Sequence, residues 1–282
     1  MRPFLIAALS TSLCAMEIVD PTSAYLEDPV PTEQTAYRLL KQKPLEREIT
    51  YAALPWVAWR GMGQLAAASR LSAKGGFTVC QMDLSDALPH CKAMGIATVF
   101  AVHATAREID GIRIVPFPHY PIHGTPPAEK KDVWFSFVGM MGTHPCRQKI
   151  AQLADVKGSY LLFRNGWVHS AQEEIDEYRS VLARSRFSLC PRGTAPQSIR
   201  FWESLQAGAI PVLISDSLCL PENANWDEMI VRVPEDAIAT IPERLAAISP
   251  EREEAMRQAC LDYFATYVEG DNFVATIREF YR

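Results

Sequence analysis

Phe187-Ser-Leu-Cys-Pro191, Arg192-Gly193-Thr-Ala-Pro-Gln197, Ser198-Ile-Arg200-Phe-Trp-Glu203-Ser-Leu-Gln-Ala-Gly208 and Ala209-Ile-Pro-Val-Leu-Ile-Ser-Asp216 follow one another without a gap. The apolar run 187–191 is too short for a helix and reads as a buried strand. It delivers Arg192 and Gly193 to its carboxyl end. A short polar loop follows, Ser198 predicts a helix over residues 198–207, and Gly208 stops it. Residues 210–215 then re-enter as a second strand. Strand, loop, helix and strand at this spacing make a βαβ unit with parallel strands. At such a helix start, free N–H groups and the Arg192 guanidinium together suit an anion, a diphosphate by size. Arg200 and Glu203 lie three apart and share a helix face. The guanidinium can fork onto phosphate oxygens, and the carboxylate can accept both hydroxyl hydrogens of a ribose. The plain alternative is a surface ion pair between the two.

The same alternation extends in both directions. Residues 133–138, 159–163 and 186–190 read as strands, with helices over 147–154 and 173–185; a further strand is expected over 229–233, then two or three amphipathic helices. Phe137-Val-Gly139-Met-Met-Gly142-Thr-His144-Pro-Cys-Arg147 is strand, glycine loop and helix start, so Gly139, His144 and Arg147 are candidates to line the same crevice. Tight turns use such glycines as well. Toward the N-terminus a short helix is expected over 35–41, a strand and loop over 49–59, and strands over 77–83, 96–103 and 112–117. A helix over 85–94, capped by Ser85 and closed by Gly95, lies among them. Pro116, Pro118, Pro121, Pro126 and Pro127 mark a linker. Two α/β halves joined this way imply a cleft at the strand carboxyl ends.

The string from Phe187 to Asp216, continued by Leu220-Pro221, Trp226 and Val231-Arg-Val233-Pro234-Glu235, resembles the signature of the exostosin family, glycosyltransferase family 47. The resemblance implies a GT-B-like α/β fold of two Rossmann-like parallel-sheet domains, an interdomain cleft and C-terminal helices. The expected division is a reduced acceptor-side domain over 1–125, a nucleotide-sugar-binding domain over 130–270, and a terminal helix over 271–282 returning to the first domain. It implies transfer of a sugar from a nucleotide-sugar donor, commonly UDP-linked, to a glycan or glycoconjugate acceptor with inversion. No metal cofactor is required by the family, and this chain shows no Asp-x-Asp motif. By position Arg192, Gly193, Ser198, Arg200 and Glu203 inherit the donor-binding role, with Gly139, Arg147 and His144 beside them and Asp216 a weaker candidate.

An inverting transfer needs a base for the acceptor hydroxyl. His103 and Asp83, both at strand ends in the first half, are the candidates, and His119 lies near the crossing between halves. Trp56, Trp59 and Trp134 read as core before sugar platforms. A catalytically inactive nucleotide-sugar-binding module and another α/β nucleotide-binding enzyme are the competing readings; no GxGxxG fingerprint supports an oxidoreductase.

The whole chain sets outer bounds. Of 282 residues 48% are hydrophobic, enough for a core in each half, and a net charge of −5 argues against a nucleic-acid partner. Seven cysteines, an odd number with no CxxC pair, read as buried thiols, with a zinc site disfavoured. The apolar segment 4–9 is shorter than the usual signal core, and no run is long enough for a membrane span. A cytoplasmic chain with peripheral membrane association is expected; the alternative is export, should residues 4–9 act as a signal.

Overall fold

The computed structural model describes residues 16–20, 31–128, 130–166 and 171–282. The apolar segment 4–9, Cys14, Pro21 and Pro29 lie outside them.

The first half builds one sheet from β1 (Glu17–Val19), β2 (Thr50–Ala52), β3 (Phe77–Cys80), β4 (Thr98–Ala101), β5 (Glu108–Ile109) and β6 (Ile112–Pro116). Its order is β1-β2-β3-β4-β6-β5, parallel except for the short antiparallel edge β5. Helix α1 (Pro31–Gln42) crosses from β1 to β2; α2 (Trp56–Gly61) and α3 (Leu65–Ala68) join β2 to β3, and α4 (Leu84–Met94) joins β3 to β4. Residues 56–61 are helical where a loop was expected. Burial of Trp56 and Trp59 under the sheet accounts for this, and the Trp56 indole N–H donates to Thr78 Oγ1 at 2.9 Å. Both tryptophans are core. The cap of α4 is Asp83, two residues earlier than the expected Ser85: its carboxylate accepts the Ser85 N–H at 2.9 Å and the Ser85 hydroxyl at 2.8 Å. A carboxylate binds the helix start more strongly than a serine hydroxyl. Gly95 closes the helix at φ 75°, a left-handed angle that suits glycine.

The second half contains β7 (Val133–Met140), α5 (Pro145–Gln148), β8 (Tyr160–Arg164), α6 (Gln172–Arg184), β9 (Ser185–Pro191), α7 (Arg200–Gln206), β10 (Ile210–Ile214), β11 (Val231–Arg232), α8 (Ile241–Ala246), α9 (Pro250–Tyr267) and α10 (Ala275–Phe280). The five strands are all parallel in the order β11-β10-β9-β7-β8. Two Rossmann-like parallel sheets are therefore present, as expected of a GT-B-like chain. In the second the chain runs outward from β7 to β8, then returns across β7 to β9. That reversal opens a crevice beyond the carboxyl ends of β7 and β9, where open α/β sheets take their ligands.

One apolar core joins the halves. Phe77, Val79 and Phe100 of the first sheet meet Phe201, Trp202 and Leu205 of α7 and Phe273, Val274 and Ile277 near the C-terminus. Phe280 and Tyr281 close this layer at 5.4 and 6.0 Å from the Phe100 ring, and Arg278 donates to the Lys43 carbonyl at 2.6 Å. Beyond the sheets, the strand ends also meet. The Cys219 N–H, after β10, donates to the Ala104 carbonyl, after β4, at 2.9 Å, and Arg107 reaches the Leu220 carbonyl at 3.0 Å. The carboxyl edges thus face one another. The linker between halves is held in place: the Tyr120 N–H donates to Thr32 Oγ1 at 2.9 Å and the Thr125 N–H to Gln206 Oε1 at 3.2 Å. Six described cysteines are unpaired thiols, five of them buried.

Candidate functional site

Strands β7 and β9 carry Gly139 and Pro191 to the switch point. Just beyond them, three guanidinium groups gather there from different elements. Arg147, on α5, is buried and works as a clamp. Its Nε donates to the Arg192 carbonyl at 2.8 Å, Nη1 to the Met140 carbonyl at 3.0 Å and Nη2 to the Pro191 carbonyl at 3.3 Å. It ties the diverging strand ends together, so its first task is architectural and not ligand binding. Burial, then the like charge of Arg200, pull its pKa down to about 10, still protonated at neutral pH.

Arg200 comes from α7. Its Nη2 donates to the Val138 carbonyl, and the guanidinium lies 4.6 Å from the Phe137 ring centroid and 5.8 Å from that of Tyr178. Both Nε and Nη1 are buried without a hydrogen-bond partner among the described residues. Gly139 is what makes room: a Cβ there would lie 2.7 Å from Arg200 Nη2. Arg192 is half-buried, with Nε also unpartnered, and Nη1 stands 3.8 Å from Glu235 Oε1. Beside it a Cβ on Gly193 would meet Arg147 Nη2 at 3.4 Å and Thr143 Oγ1 at 3.8 Å. Thr143 Oγ1 and Ser215 Oγ are buried hydroxyls, likewise unpartnered. A buried donor left unsatisfied costs about 1–3 kcal/mol. Several of them at one switch point mark a place built for an acceptor-rich ligand.

Three expectations change. The helix after the loop is Arg200–Gln206, shorter than the 198–207 expected, and Ser198 does not cap it. The Phe201 N–H bonds the Ser198 carbonyl at 3.0 Å and the Trp202 N–H bonds that of Ile199 at 3.0 Å, so the tight first turn uses N–H groups the ligand was expected to take. Arg side chains carry the anion chemistry instead. Glu203 is buried and already engaged: Oε2 accepts the Tyr178 hydroxyl at 2.5 Å and Oε1 the His123 N–H at 3.2 Å. It faces the linker and α6, not an open crevice, because α7 packs that face inward. The surface ion pair with Arg200 is not found among the described residues, and both side chains are buried. Asp216 is exposed and clasps the next loop: the Asp216 N–H donates to Glu235 Oε1 and the Glu235 N–H to Asp216 Oδ1, each at 3.1 Å. His144 caps α5, its Nδ1 accepting the Cys146 N–H at 3.3 Å. Thr143 and Ser215 are not among the site candidates the sequence offers, and Glu235 enters only as the end of the family signature. Their shared signal is position, one to three residues beyond a strand end.

Across from this cluster, the first sheet brings Asp83, His103 and His119 to its carboxyl edge. His103 and His119 rings meet edge to face at 6.4 Å. His103 Nδ1 is buried and unpartnered; burial lowers its pKa to about 4, while Asp83 pulls it upward. His119 is buried against Thr32, with Nδ1 3.3 Å from Oγ1, and burial followed by the charge of His103 takes it to about 3. Both rings are neutral at pH 7. For Asp83 burial raises the pKa, but the Ser85 bonds and His103 together leave it below the ordinary value. Asp83 is therefore a charged helix cap that supports His103 electrostatically, a weaker candidate for the base itself. Elsewhere, a cavity of ≈ 570 Å³ between Gly124–Pro127 and α9 holds none of these residues.

The comparisons with known proteins bear on the same region. Residues 77–248, more than half of the chain, match the family model described as the Exostosin GT47 domain. A protein named Exostosin-1 homolog from Caenorhabditis elegans is 38% identical over 96 residues, 33% of this chain and 25% of the relative. A probable glucuronosyltransferase of Oryza sativa subsp. japonica is 27% identical over 222 residues, 70% of this chain and 50% of the relative. The chain thus spans half or less of the length of these two relatives. Among solved structures, the apo form of the lipopolysaccharide outer core galactosyltransferase WaaB superposes with a TM-score of 0.45 at 12% identity, covering 94% of this chain and 99% of that one.

Proposed function

The chain belongs to the exostosin GT47 family, and on that premise we propose that it transfers a sugar from a UDP-linked donor to a glycan or glycoconjugate hydroxyl, with inversion. The observation that carries the reading is the set of unpartnered donors at the β7/β9 switch point: Arg200 Nε and Nη1, Arg192 Nε and the Thr143 hydroxyl. A diphosphate satisfies them. As the glycosidic bond to the donor breaks, negative charge builds on the diphosphate, and fixed guanidinium groups stabilise it with no reorganisation at that moment. Gly139 and Gly193 keep the approach open. Glu203 positions Tyr178 and the linker in this reading; it reaches a ribose only if the linker contact at His123 opens.

On the other edge, the neutral His103 imidazole takes the acceptor proton. A base with a pKa near 4 is weak for this task, so the developing imidazolium needs Asp83 beside it. No described helix is long and apolar enough to cross a membrane.

Calorimetric titration of the folded chain with UDP and with a panel of UDP-sugars tests the reading. Arg192→Ala, a partly exposed position, is expected to weaken UDP binding about 10- to 150-fold, the loss of one hydrogen bond from a charged group at about 1.5–3 kcal/mol. No binding of UDP or any nucleotide sugar by the folded wild type would sink it and favour a different anionic ligand.

A further inference from the structure

We propose that His144, Cys146 and Glu235 form a binding site for a thiophilic divalent cation of the zinc class, at the rim of the β7/β9 crevice. One ring nitrogen of His144, Cys146 Sγ and one carboxylate oxygen of Glu235 all lie within 4.8 Å of one another. The three come from different parts of the fold: the loop after β7, the first turn of α5 and the loop after β11. His144 and Cys146 are neighbours at the start of α5, but nothing in the chain spacing links them to Glu235, 89 positions beyond Cys146.

The donor set selects the metal. Thiolate and imidazole with a single carboxylate suit zinc, whereas magnesium and calcium take oxygen ligands only. Zinc sits about 2.0–2.3 Å from such atoms, which places tetrahedral ligands about 3.5 Å apart. Closing from 4.8 Å to that spacing calls for side-chain rotation of His144 and Glu235, and a His144 that ligates through Nδ1 gives up the Cys146 N–H it caps. Their side chains are 26% and 18% exposed, so they can turn and an ion can enter, while Cys146 is buried and fixed.

Glu235 is already oriented for this. Its Oε1 accepts the Asp216 N–H at 3.1 Å and faces Arg192, whereas Oε2 points to His144 Nδ1 at 3.8 Å, too far for a hydrogen bond. That second oxygen is the one left for a cation. On binding, the Cys146 S–H proton leaves to solvent, a zinc–sulfur bond forms, and the fourth position stays open to water. The opposing charge of Arg192 is on the Oε1 side, and its counter-charge is then shared with the metal. Metal binding at this trio needs no nucleotide and stands independently of the donor reading.

The test titrates zinc into the purified full chain against a chromophoric chelator. One equivalent is expected to bind. Cys146→Ser and Glu235→Gln, near-isosteric changes, and His144→Asn, which keeps a cap acceptor for α5, are each expected to weaken it about a hundredfold or more. Loss of an outer-shell partner alone costs about 10–100-fold. Cobalt in place of zinc is expected to give a sulfur-to-metal charge-transfer band that Cys146→Ser abolishes, with the near-ultraviolet circular dichroism of the variants checking the fold. Absence of stoichiometric binding by wild type overturns the proposal. So does binding that Cys146→Ser and His144→Asn leave unchanged, which would put the metal on other cysteines or histidines.

Discussion

Replacing Gly139 by alanine tests the close packing of Arg200 against the end of β7. Its φ lies outside the left-handed region, so the backbone accepts alanine, and the consequence is purely one of space. The new methyl would lie 2.7 Å from Arg200 Nη2 and 3.6 Å from the Phe137 ring. A carbon and a nitrogen do not share that distance, so the guanidinium must retreat. Retreat breaks its bond to the Val138 carbonyl and its approach to the Phe137 face. A hydrogen bond from a charged donor contributes about 1.5–3 kcal/mol, and overpacking a well-filled site costs about 1–3 kcal/mol. Part of this returns as the side chain finds a new rotamer, so the expected loss in unfolding free energy is about 1–3 kcal/mol, read by urea denaturation. UDP binding is expected to fall further, by about 10- to 150-fold, because the guanidinium and its two unpartnered donors leave the switch point. Gly142→Ala is the internal control: nothing lies within 4 Å of its Cβ position. It should bind UDP within about twofold of wild type. Equal UDP affinity for the two alanine variants, at equal stability, would refute the argument that Arg200 is poised against Gly139.

Two further outcomes follow from the first sheet. Gly76→Ala should destabilise by about 3 kcal/mol or more, since its Cβ would lie 2.2 Å from the Thr50 carbonyl oxygen, a backbone atom that cannot swing away; a denaturation midpoint equal to wild type would contradict this packing. His103 and His119 have folded pKa values of about 4 and about 3, below the ordinary 6.5, so the unfolded chain binds more protons between those limits. Stability is therefore fully present above about pH 6.5 and falls as the pH drops toward 4, and the slope should flatten in His119→Asn; an unchanged slope in that variant would mean the ring is not buried neutral.

How far the chain could be read depends on whether a feature is local. Residues 187–216 announced β9 and β10 because a short apolar run, a polar loop and a stopping glycine are local statements about strand, turn and helix end. The start of α7 was misplaced by two residues because Ser198 is a good cap in isolation, yet its carbonyl closes a tight turn with Phe201. Helix α2 was missed for a related reason. Residues 56–61 have little helical signal of their own, and burial of two tryptophans decides their conformation. Arg200 stands out in the sequence as a candidate, but its geometry does not: it depends on Gly139, 61 positions away, leaving space for it.

The sequence by itself determined the two α/β halves, the strand that carries Arg192 and the family signature, since hydrophobic period and turn chemistry act over a few residues. Only the tertiary structure decided which groups meet. Strand order placed β7 beside β9 and so opened the switch point; the packing of α7 turned Glu203 inward to Tyr178 and left Arg200 with two unsatisfied donors. The trio of His144, Cys146 and Glu235 exists for the same reason. The start of α5 and the loop after β11 share one sheet edge, and that proximity is a property of the parallel sheet, which no spacing along the chain encodes.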